Sequence, residues 1–222
     1  MSPRAYRSPA RESTAAETRA RIIEAARTLL SGPDGVTFTI ERIAEGADVA
    51  RMTVYNQFGS KGGLVEALSD DLAARGGIGR LPEAFQAMDA LTGLEILIEV
   101  FMGFWEREQL LLRRLRAVIA LDPDLNRSNR DGRRRQALTV ILRRLSGQTG
   151  HPAPEEMGTA ADLLLVLTSF EAYESLAAGR DQQNVARLVT AAAKRVLGIE
   201  SDPVRQGHTG PQRLRTPRVR PI

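Results

Sequence analysis

Apolar residues recur at helical spacing along almost the whole of this chain of 222 residues, and this pattern constrains its fold more than any other feature. Stretches of alternating Val, Ile and Thr, which predict strands, are scarce, and Phe, Trp and Tyr together make up only 5% of the residues. Ala, Leu, Arg and Glu dominate instead, and all four favour helices. The sequence therefore predicts an all-α fold and argues against an all-β sandwich.

The composition also narrows the classes of function. The chain contains no cysteine, which excludes a disulfide framework, a thiolate metal site and a cysteine nucleophile. The first 21 residues lack the apolar segment of a signal peptide, and the apolar runs at 94–105 and 163–167 are interrupted or too short for a membrane span. We expect a cytoplasmic protein with no membrane partner and no cofactor.

The net charge of +4 suggests a nucleic-acid partner until the position of the charges is considered. Residues 201–222 carry five arginines against Asp202, which accounts for the whole excess, so residues 1–200 are neutral overall. An interaction with DNA must therefore be argued from the placement of individual side chains rather than from the overall field.

Caps and turn residues divide the chain into four segments. We expect a disordered arm over 1–13, a first domain over 14–75, a second domain over 76–200 and a disordered basic tail over 201–222. Thr14 and Glu17 form a capping box that predicts the start of the first helix, and the glycine cluster from Gly76 to Gly79 marks the boundary between the domains.

The helical spacing predicts the order of the elements. The turn cluster 31–35 ends the first helix, and the hydroxyl of Thr39 can cap a short second one. A third helix follows at 50–58, and a fourth begins at Leu64 and ends at Gly76. Further helices are predicted at 82–89, 91–121 with a break near 106–109, 125–146 started by Asp122 and ended at Gly147, 154–178 and 181–197.

Residues 39–58 have the layout of a helix-turn-helix, with two short helices joined by a tight turn. The second helix of such a unit enters the major groove of DNA, with its N-terminal residues at the base edges and its flanks on phosphates. Arginine pairs with guanine through two hydrogen bonds, whereas hydroxyl and ammonium groups suit phosphate oxygens. The candidate base readers are Arg51, Met52 and Gln57, and the candidate phosphate ligands are Thr39, Thr53, Tyr55 and Lys61.

The same region resembles the tetracycline-repressor (TetR) family of one-component bacterial transcription regulators. The resemblance covers about the first third of the chain and is carried by residues 18–26, 39–44, 49–58, 60–61 and 64. The family pattern usually has glycine where this chain has Asp48, a residue that tolerates left-handed backbone angles. It often has two glutamates where this chain has Gly62 and Gly63, which predicts a softer start to the fourth helix. The resemblance implies a homodimeric repressor that binds a palindromic operator in double-stranded DNA and is released by a small-molecule effector.

The second domain matches the family only in layout, which implies a four-helix dimer interface and an enclosed effector pocket. The run 163–167 is apolar all round, and the last helix carries a single apolar stripe, so both suit burial on more than one side. We expect the dimer interface to include Leu164, Leu167, Val185, Leu188, Val189 and Ala192. The residues that could line a pocket for a mostly apolar molecule are Met88, Phe101, Phe104, Trp105, Phe170 and Tyr173. A filled core around Trp105 without a cavity is the alternative, because aromatic residues at helical spacing are more often ordinary core.

An enzyme and a ligand-independent architectural DNA-binding protein are the competing classes. The two histidines, His151 and His208, lie in a loop and in the tail, without partners for acid–base work or metal binding. The glycine clusters follow no predicted strand, so they do not indicate a phosphate loop, and we expect no enzyme. An architectural role would leave the large second domain without a use beyond dimerisation. The arginine runs at 113–114, 133–135 and 143–144 are interpreted as solvated helix faces.

Overall fold

The computed structural model describes residues 9–32, 37–122, 125 and 130–199, and it places the side chains from residue 13 onward. Eleven α-helices and two 3-10 turns make up most of the described residues, which contain no strand, so the predicted all-α fold is confirmed. The helices are α1 (Pro9–Ser31), α2 (Ile40–Gly46), α3 (Arg51–Phe58), α4 (Lys61–Arg75), α5 (Leu81–Gln86), α6 (Ala90–Arg107), α7 (Gln109–Leu121), α8 (Arg130–Thr149), α9 (Met157–Leu167), α10 (Phe170–Leu176) and α11 (Gln182–Val196). None of these helices is long and apolar enough to cross a bilayer. The arm before residue 9 and the tail over 201–222 lie outside the described residues.

The first four helices pack around one small core. Ile22, Ala26 and Leu30 form the buried stripe of α1, which contacts α2 and α4. Leu64 and Leu68 on α4 are equally buried and complete the core. The core fixes α2 and α3 to the side of α1, which positions the helix-turn-helix.

Several predicted helix bounds need correction. The first helix begins at Pro9 rather than Thr14, and the Thr18 hydroxyl donates a hydrogen bond to the Thr14 carbonyl one turn before it (2.9 Å). α5 ends at Gln86 instead of continuing to residue 89, and α8 begins at Arg130 and continues past Gly147 to residue 149. The break near 106–109 is confirmed, since α6 ends at residue 107 and α7 begins at residue 109.

A break within 154–178 was not predicted from the sequence. α9 ends at Leu167 and α10 begins at Phe170, so Thr168 and Ser169 separate the two helices. The Ser169 hydroxyl accepts a hydrogen bond from the Ala172 amide (3.0 Å) and caps α10. The break matters because it places the Thr168 carbonyl and Phe170 beside the end of α6.

α6 is the central helix of the second domain. It contacts α5, α7, α8, α10 and α11, and its residues Leu94, Leu97, Ile98 and Met102 are completely or almost completely buried. A helix that is apolar on more than one side is stable only when neighbours surround it. The carboxyl end of α6 therefore reaches the junction between the two domains from inside the core.

The carboxyl end of α6 is joined tightly to the end of α4. The Arg107 guanidinium donates two hydrogen bonds to the Gly76 carbonyl, at 3.0 Å from Nε and 2.7 Å from Nη2. A Cβ on Gly76 would lie 2.2 Å from the Phe104 ring, so this position has no room for a side chain. This close approach ties the first four helices to the second domain.

Arginines also link α1 to the second domain. Arg114 of α7 donates to the carbonyls of Leu30 and Gly32 at the end of α1. Arg27 of α1 forms an ion pair with the buried Glu108, at 3.5 Å, in the break between α6 and α7. Each contact joins residues that are more than 80 positions apart along the chain.

The interpretation of the arginine runs as solvated faces is wrong for three of their members. Arg114, Arg134 and Arg144 are partly buried, and each donates hydrogen bonds to backbone carbonyls of another helix. Arg144, for example, donates to the Phe85 carbonyl at 2.8 Å and so satisfies the end of α5. The alkyl stem of an arginine covers apolar surface, which is why a charged run can face inward.

Candidate nucleic-acid interface and effector site

The turn between α2 and α3 depends on a capped helix start and on one left-handed residue. The Thr39 hydroxyl accepts a hydrogen bond from the Arg42 amide (3.3 Å), so the predicted cap of α2 is confirmed. Asp48 has a φ of 51°, and the Val49 amide donates to the Ala44 carbonyl (3.0 Å). Aspartate therefore takes the left-handed position where the family pattern has glycine, as expected.

One side of α3 is anchored and the other is exposed. Val54 is buried, whereas Met52 is 66% exposed and Tyr55 is 36% exposed. Asn56 is also exposed, and it lies four residues after Met52, so the two side chains share the outward face. Asn56 is absent from the sequence-based candidates, although its spacing from Met52 could have indicated it. Asparagine pairs with adenine through two hydrogen bonds, which suits this side chain to base contact.

Gln57, a predicted base reader, lies closer to α1 than to the outward face. The side chain of Gln57 is partly buried, and the backbone carbonyl of this residue accepts a hydrogen bond from Arg19 Nη1 (3.0 Å). The Arg19 guanidinium also lies 4.3 Å from the centre of the Phe58 ring. Thr53, a predicted phosphate ligand, is partly buried near the start of α3. Asn56 therefore has better access to a groove than Gln57.

Arg51 stands at the start of α3 and is held by two neighbours. Its Nη1 atom lies 2.9 Å from Oε1 of Glu41 on α2, and both side chains are more than half exposed. A hydrogen bond with Tyr55 raises the pKa of the Arg51 guanidinium, and the charge of Glu41 adds to this effect. An exposed ion pair of this kind is weak, so a guanine or a phosphate can replace Glu41 as the partner of Arg51.

Lys61 begins α4, directly after the cap residue Ser60. Its Nζ atom donates to Oδ2 of Asp122, 3.0 Å away, at the end of α7. The predicted phosphate ligand is thus held by a carboxylate of the second domain. Two residues later, a Cβ on Gly63 would lie 2.1 Å from the Phe58 carbonyl oxygen, so the glycine that the sequence interprets as softening this helix start is required for close packing.

Four of the six predicted pocket residues come together in one cluster at Trp105. Its ring centre lies 4.6 Å from that of Phe104, 5.6 Å from that of Phe170 and 6.0 Å from that of Phe101, and all four rings are buried. The indole Nε1 donates to the Thr168 carbonyl at 3.0 Å. This is a densely packed cluster, as the alternative of a filled core requires.

Tyr173 and Met88 complete the set of predicted pocket residues. Tyr173 is buried on α10, and burial raises the pKa of its phenol, with a further contribution from the charge of Glu106. Met88 was predicted wrongly: its side chain is 95% exposed, because α5 ends at Gln86 and Met88 lies in the turn before α6. The sequence also missed Arg134, whose guanidinium lies over the rings of the Trp105 cluster.

The predicted dimer residues divide into two groups. Leu164, Val185 and Val189 are buried within the core of one protomer, whereas Leu188 is 44% exposed. Leu167 and Ala192 are partly buried. The buried residues pack within the core of the chain, so they do not lie on the surface that a second copy would contact.

Taken together, these features define a class of protein. A four-helix unit presents a short, exposed helix after a tight turn, and it is joined to a larger helical domain with an aromatic cluster. This is the architecture of a helix-turn-helix regulator rather than of an enzyme. A family model described as "Bacterial regulatory proteins, tetR family" matches residues 22–68, which contain α2 and α3. Over these residues the chain is similar to the TetR family, whose members are transcription factors.

Relatives agree with this placement. The chain is 36% identical over 101 residues to the HTH-type transcriptional regulator AlkX of Mycobacterium tuberculosis, and this match spans 45% of the chain and 46% of that regulator. A TetR-family regulator from Mesorhizobium loti has a similar structure, with a TM-score of 0.61 and 21% identity over 83% of this chain and 97% of the other. A TetR-like regulator from Rhodococcus has a TM-score of 0.55 and 17% identity over 88% and 97% of the two chains. The structural matches show a shared fold.

Proposed function

We propose that this protein is a homodimeric, sequence-specific DNA-binding repressor, which leaves a palindromic operator when a small molecule binds in its second domain. The observation that carries the proposal is the outward face of α3, where Arg51, Met52, Tyr55 and Asn56 are exposed. Val54 holds the opposite side of the helix, so these side chains can enter a major groove without loss of packing. A DNA operator as partner places the protein in the bacterial cytoplasm.

The flanks of α3 provide groups for the phosphates. The Thr39 hydroxyl accepts the capping hydrogen bond, which leaves its own hydrogen free to donate to a phosphate. Ala50 caps α3 without a side-chain hydrogen bond, so amides in the first turn remain available to an anion. Tyr55 and Lys61 lie at the middle of α3 and at the start of α4, where a hydroxyl and an ammonium group can reach the same backbone.

An exposed apolar surface on α9 and α11 supports the dimer. Leu163 and Val166 on α9 are 45% and 64% exposed, and Leu188 and Val196 on α11 are also exposed. The two helices contact each other, and we infer from this that the four side chains share one surface. A second copy of the chain would cover it in a two-fold symmetric interface.

The Trp105 cluster supports an effector site in the second domain. It combines aromatic rings from α6 and α10 close to the junction where Arg107 contacts the end of α4. A regulator with the same fold, LfrR of Mycobacterium smegmatis, was crystallised with proflavine, and its TM-score is 0.51 at 21% identity. A ligand that separates the rings would favour one arrangement of the junction over another, which is how binding changes DNA affinity.

Selection of bound sequences from random DNA tests the DNA-binding part of the proposal. We expect the full-length protein to enrich a near-palindrome with half-sites about one helical turn, or a multiple of it, apart. Compounds that change the Trp105 fluorescence should then lower the affinity for that operator. Sequence-independent coating of DNA would favour an architectural role instead, and operator affinity that no such compound changes would contradict the effector.

Substitution on the proposed dimer surface tests the oligomeric state. Val166→Glu places a charge in the apolar surface and should give monomers in sedimentation velocity experiments, with loss of operator binding. Val140→Glu is the matched control, because Val140 is exposed on α8, outside this surface. Dimers of unchanged affinity in the Val166→Glu protein would show that the interface lies elsewhere.

A further inference from the structure

Arg134 of α8 is a buried cation inside the Trp105 cluster. Its side chain is only 9% exposed, and the carbon of its guanidinium lies 5.9 Å from the centre of the Phe101 ring and 5.7 Å from that of the Trp105 ring. Aromatic faces attract a guanidinium, but they do not accept its five N–H groups as hydrogen-bond acceptors do. The cation therefore needs acceptors from elsewhere.

The acceptors within reach are few and weak. Arg134 Nη2 donates to Oδ1 of Asp131 at 3.1 Å and contacts the Leu165 carbonyl at 3.4 Å. Asp131 is 80% exposed, so water screens its charge. The Nε atom of Arg134 is buried and has no hydrogen-bond partner among the described residues.

A second cation, Arg116, acts on the charge of Arg134. Burial lowers the pKa of the Arg134 guanidinium, and the nearby cation Arg116 lowers it further, against the opposing effect of Asp131. Arg116 has its own ion pair with Glu171 and lies over the Phe170 ring, 5.4 Å from its centre. An arginine stays protonated in such a site, and its exposed partner Asp131 offsets only part of the cost of burying the charge.

We propose that Arg134 binds a carboxylate of the effector, whose apolar part enters between the rings of Phe101 and Trp105. This inference rests on the proposed effector site. A carboxylate can accept two parallel hydrogen bonds from Nε and Nη2, which gives the buried Nε its missing partner. One guanidinium balances one negative charge, whereas a phosphate dianion would leave a surplus charge among aromatic rings.

The packing of the rings links this binding to a movement. Because the ring centres are 4.6 to 6.0 Å apart, an apolar group can enter only by separating Trp105 from its neighbours on α6 and α10. Carboxylate recognition by Arg134 would offset the cost of this separation. Trp105 is the single tryptophan of the chain, so its fluorescence reports the event directly.

Matched acids and amides test the assignment on the full-length dimer. Decanoate and 4-phenylbutanoate are titrated beside decanamide and 4-phenylbutanamide, with Trp105 fluorescence and calorimetry as readouts. We expect the wild-type protein to bind at least one acid about tenfold or more tightly than its amide, since hydrogen bonds to a charged group are the strong ones. Arg134→Met should bind the acid and the amide equally, and the control Arg135→Met, at an exposed residue paired with Asp162, should keep the preference.

Thermal unfolding separates ligand binding from a structural role. Replacing a buried and weakly paired charge by an apolar side chain is often neutral or stabilising, so Arg134→Met should unfold at the same temperature as the wild-type protein or higher. Arg134→Lys keeps the charge without the paired geometry and should retain only part of the preference for the acid. A lower unfolding temperature of Arg134→Met, with an unchanged ratio of acid to amide affinity in Arg134→Lys, would assign Arg134 a structural role and overturn the proposal.

Failure of this inference can be distinguished from failure of the proposed function. If the wild-type protein shows no preference for either acid over its amide, Arg134 does not bind a carboxylate, whatever the operator experiments show. If the acids bind through Arg134 but leave operator affinity unchanged at saturation, the carboxylate site stands and its role in release is refuted. If no operator sequence is selected, the difference in affinity between acid and amide still shows whether Arg134 binds a carboxylate.

Discussion

The ion pair between Lys61 and Asp122 predicts that the second domain weakens DNA binding by occupying a proposed phosphate ligand. The two charged atoms are 3.0 Å apart, and the side chains are 31% and 34% exposed. To contact a phosphate, Lys61 must first leave Asp122. Asp122→Asn removes the competing charge and should therefore increase operator affinity.

The size of the effect follows from the exposure of the pair. Pairs this accessible to water contribute about 0.2–1 kcal/mol each, and a dimer contains two, so the free energy of binding should improve by about 0.4–2 kcal/mol. That range corresponds to about a twofold to thirtyfold tighter dissociation constant. Fluorescence anisotropy with a labelled operator at several salt concentrations measures it. Lys61→Ala should weaken binding and lower the slope of log K against log salt by about one unit per half-site.

Two controls make the prediction sharp. Glu155→Gln removes one exposed negative charge from the second domain far from Lys61 in sequence, so it accounts for the change in net charge. In a protein that already carries Lys61→Ala, Asp122→Asn should have no further effect on affinity. If Asp122→Asn improves binding no more than Glu155→Gln does, or does so equally without Lys61, then Asp122 does not restrain this lysine.

Three further predictions follow from the site and the junction. Asn56→Ala should relax the preference at one operator base pair by about 1–3 kcal/mol, and Gln57→Ala should change this preference less. Competition with single-base operator variants measures both changes. Equal losses of preference would contradict the assignment of Asn56 to the outward face. Glu108→Gln should lower the free energy of unfolding in urea by about 1–2 kcal/mol because Arg27 loses its buried partner, and an unchanged value would mean that this pair adds nothing. Folding raises the pKa of Tyr173, so the contribution of this phenol to stability is present below about pH 10 and is lost as the pH rises through the folded pKa. Above that pH, the Tyr173→Phe protein should lose less stability than the wild-type protein. Superimposable profiles of unfolding free energy against pH would refute this.

Sequence patterns predicted the parts of the fold that depend on near neighbours. The cap at Thr39, the left-handed Asp48 and the break after residue 107 all arise from residues within one or two helical turns of each other. The Thr168–Ser169 break also has a local signal, because Ser169 is a good cap residue, but the continuous apolar run before it concealed the signal.

Contacts between distant segments could not be predicted in this way. The partner of Lys61 is 61 residues further along the chain, and the rings under Arg134 belong to a helix about 30 residues earlier. Helical spacing indicates that a residue faces inward or outward, but it does not indicate which helix lies opposite. The dimer residues show the same limit, since Leu164 and Leu188 are both apolar stripe residues and only Leu188 is exposed.

Arg114 holds the carbonyls at the end of α1, so a tilt of this helix would turn about that end and displace its other end. Arg19, which contacts the end of α3, lies about 18 Å along the helix axis from this held end. A tilt of α1 by about 10° would therefore displace α3 by about 3 Å, close to the rise of about 3.4 Å per base pair along the DNA axis. The two halves of a symmetric dimer would move in opposite directions, so the distance between the recognition helices would change by about twice that amount. In the proposed dimer, a small rotation of α7 would thus produce a mismatch of nearly two base pairs between protein and operator.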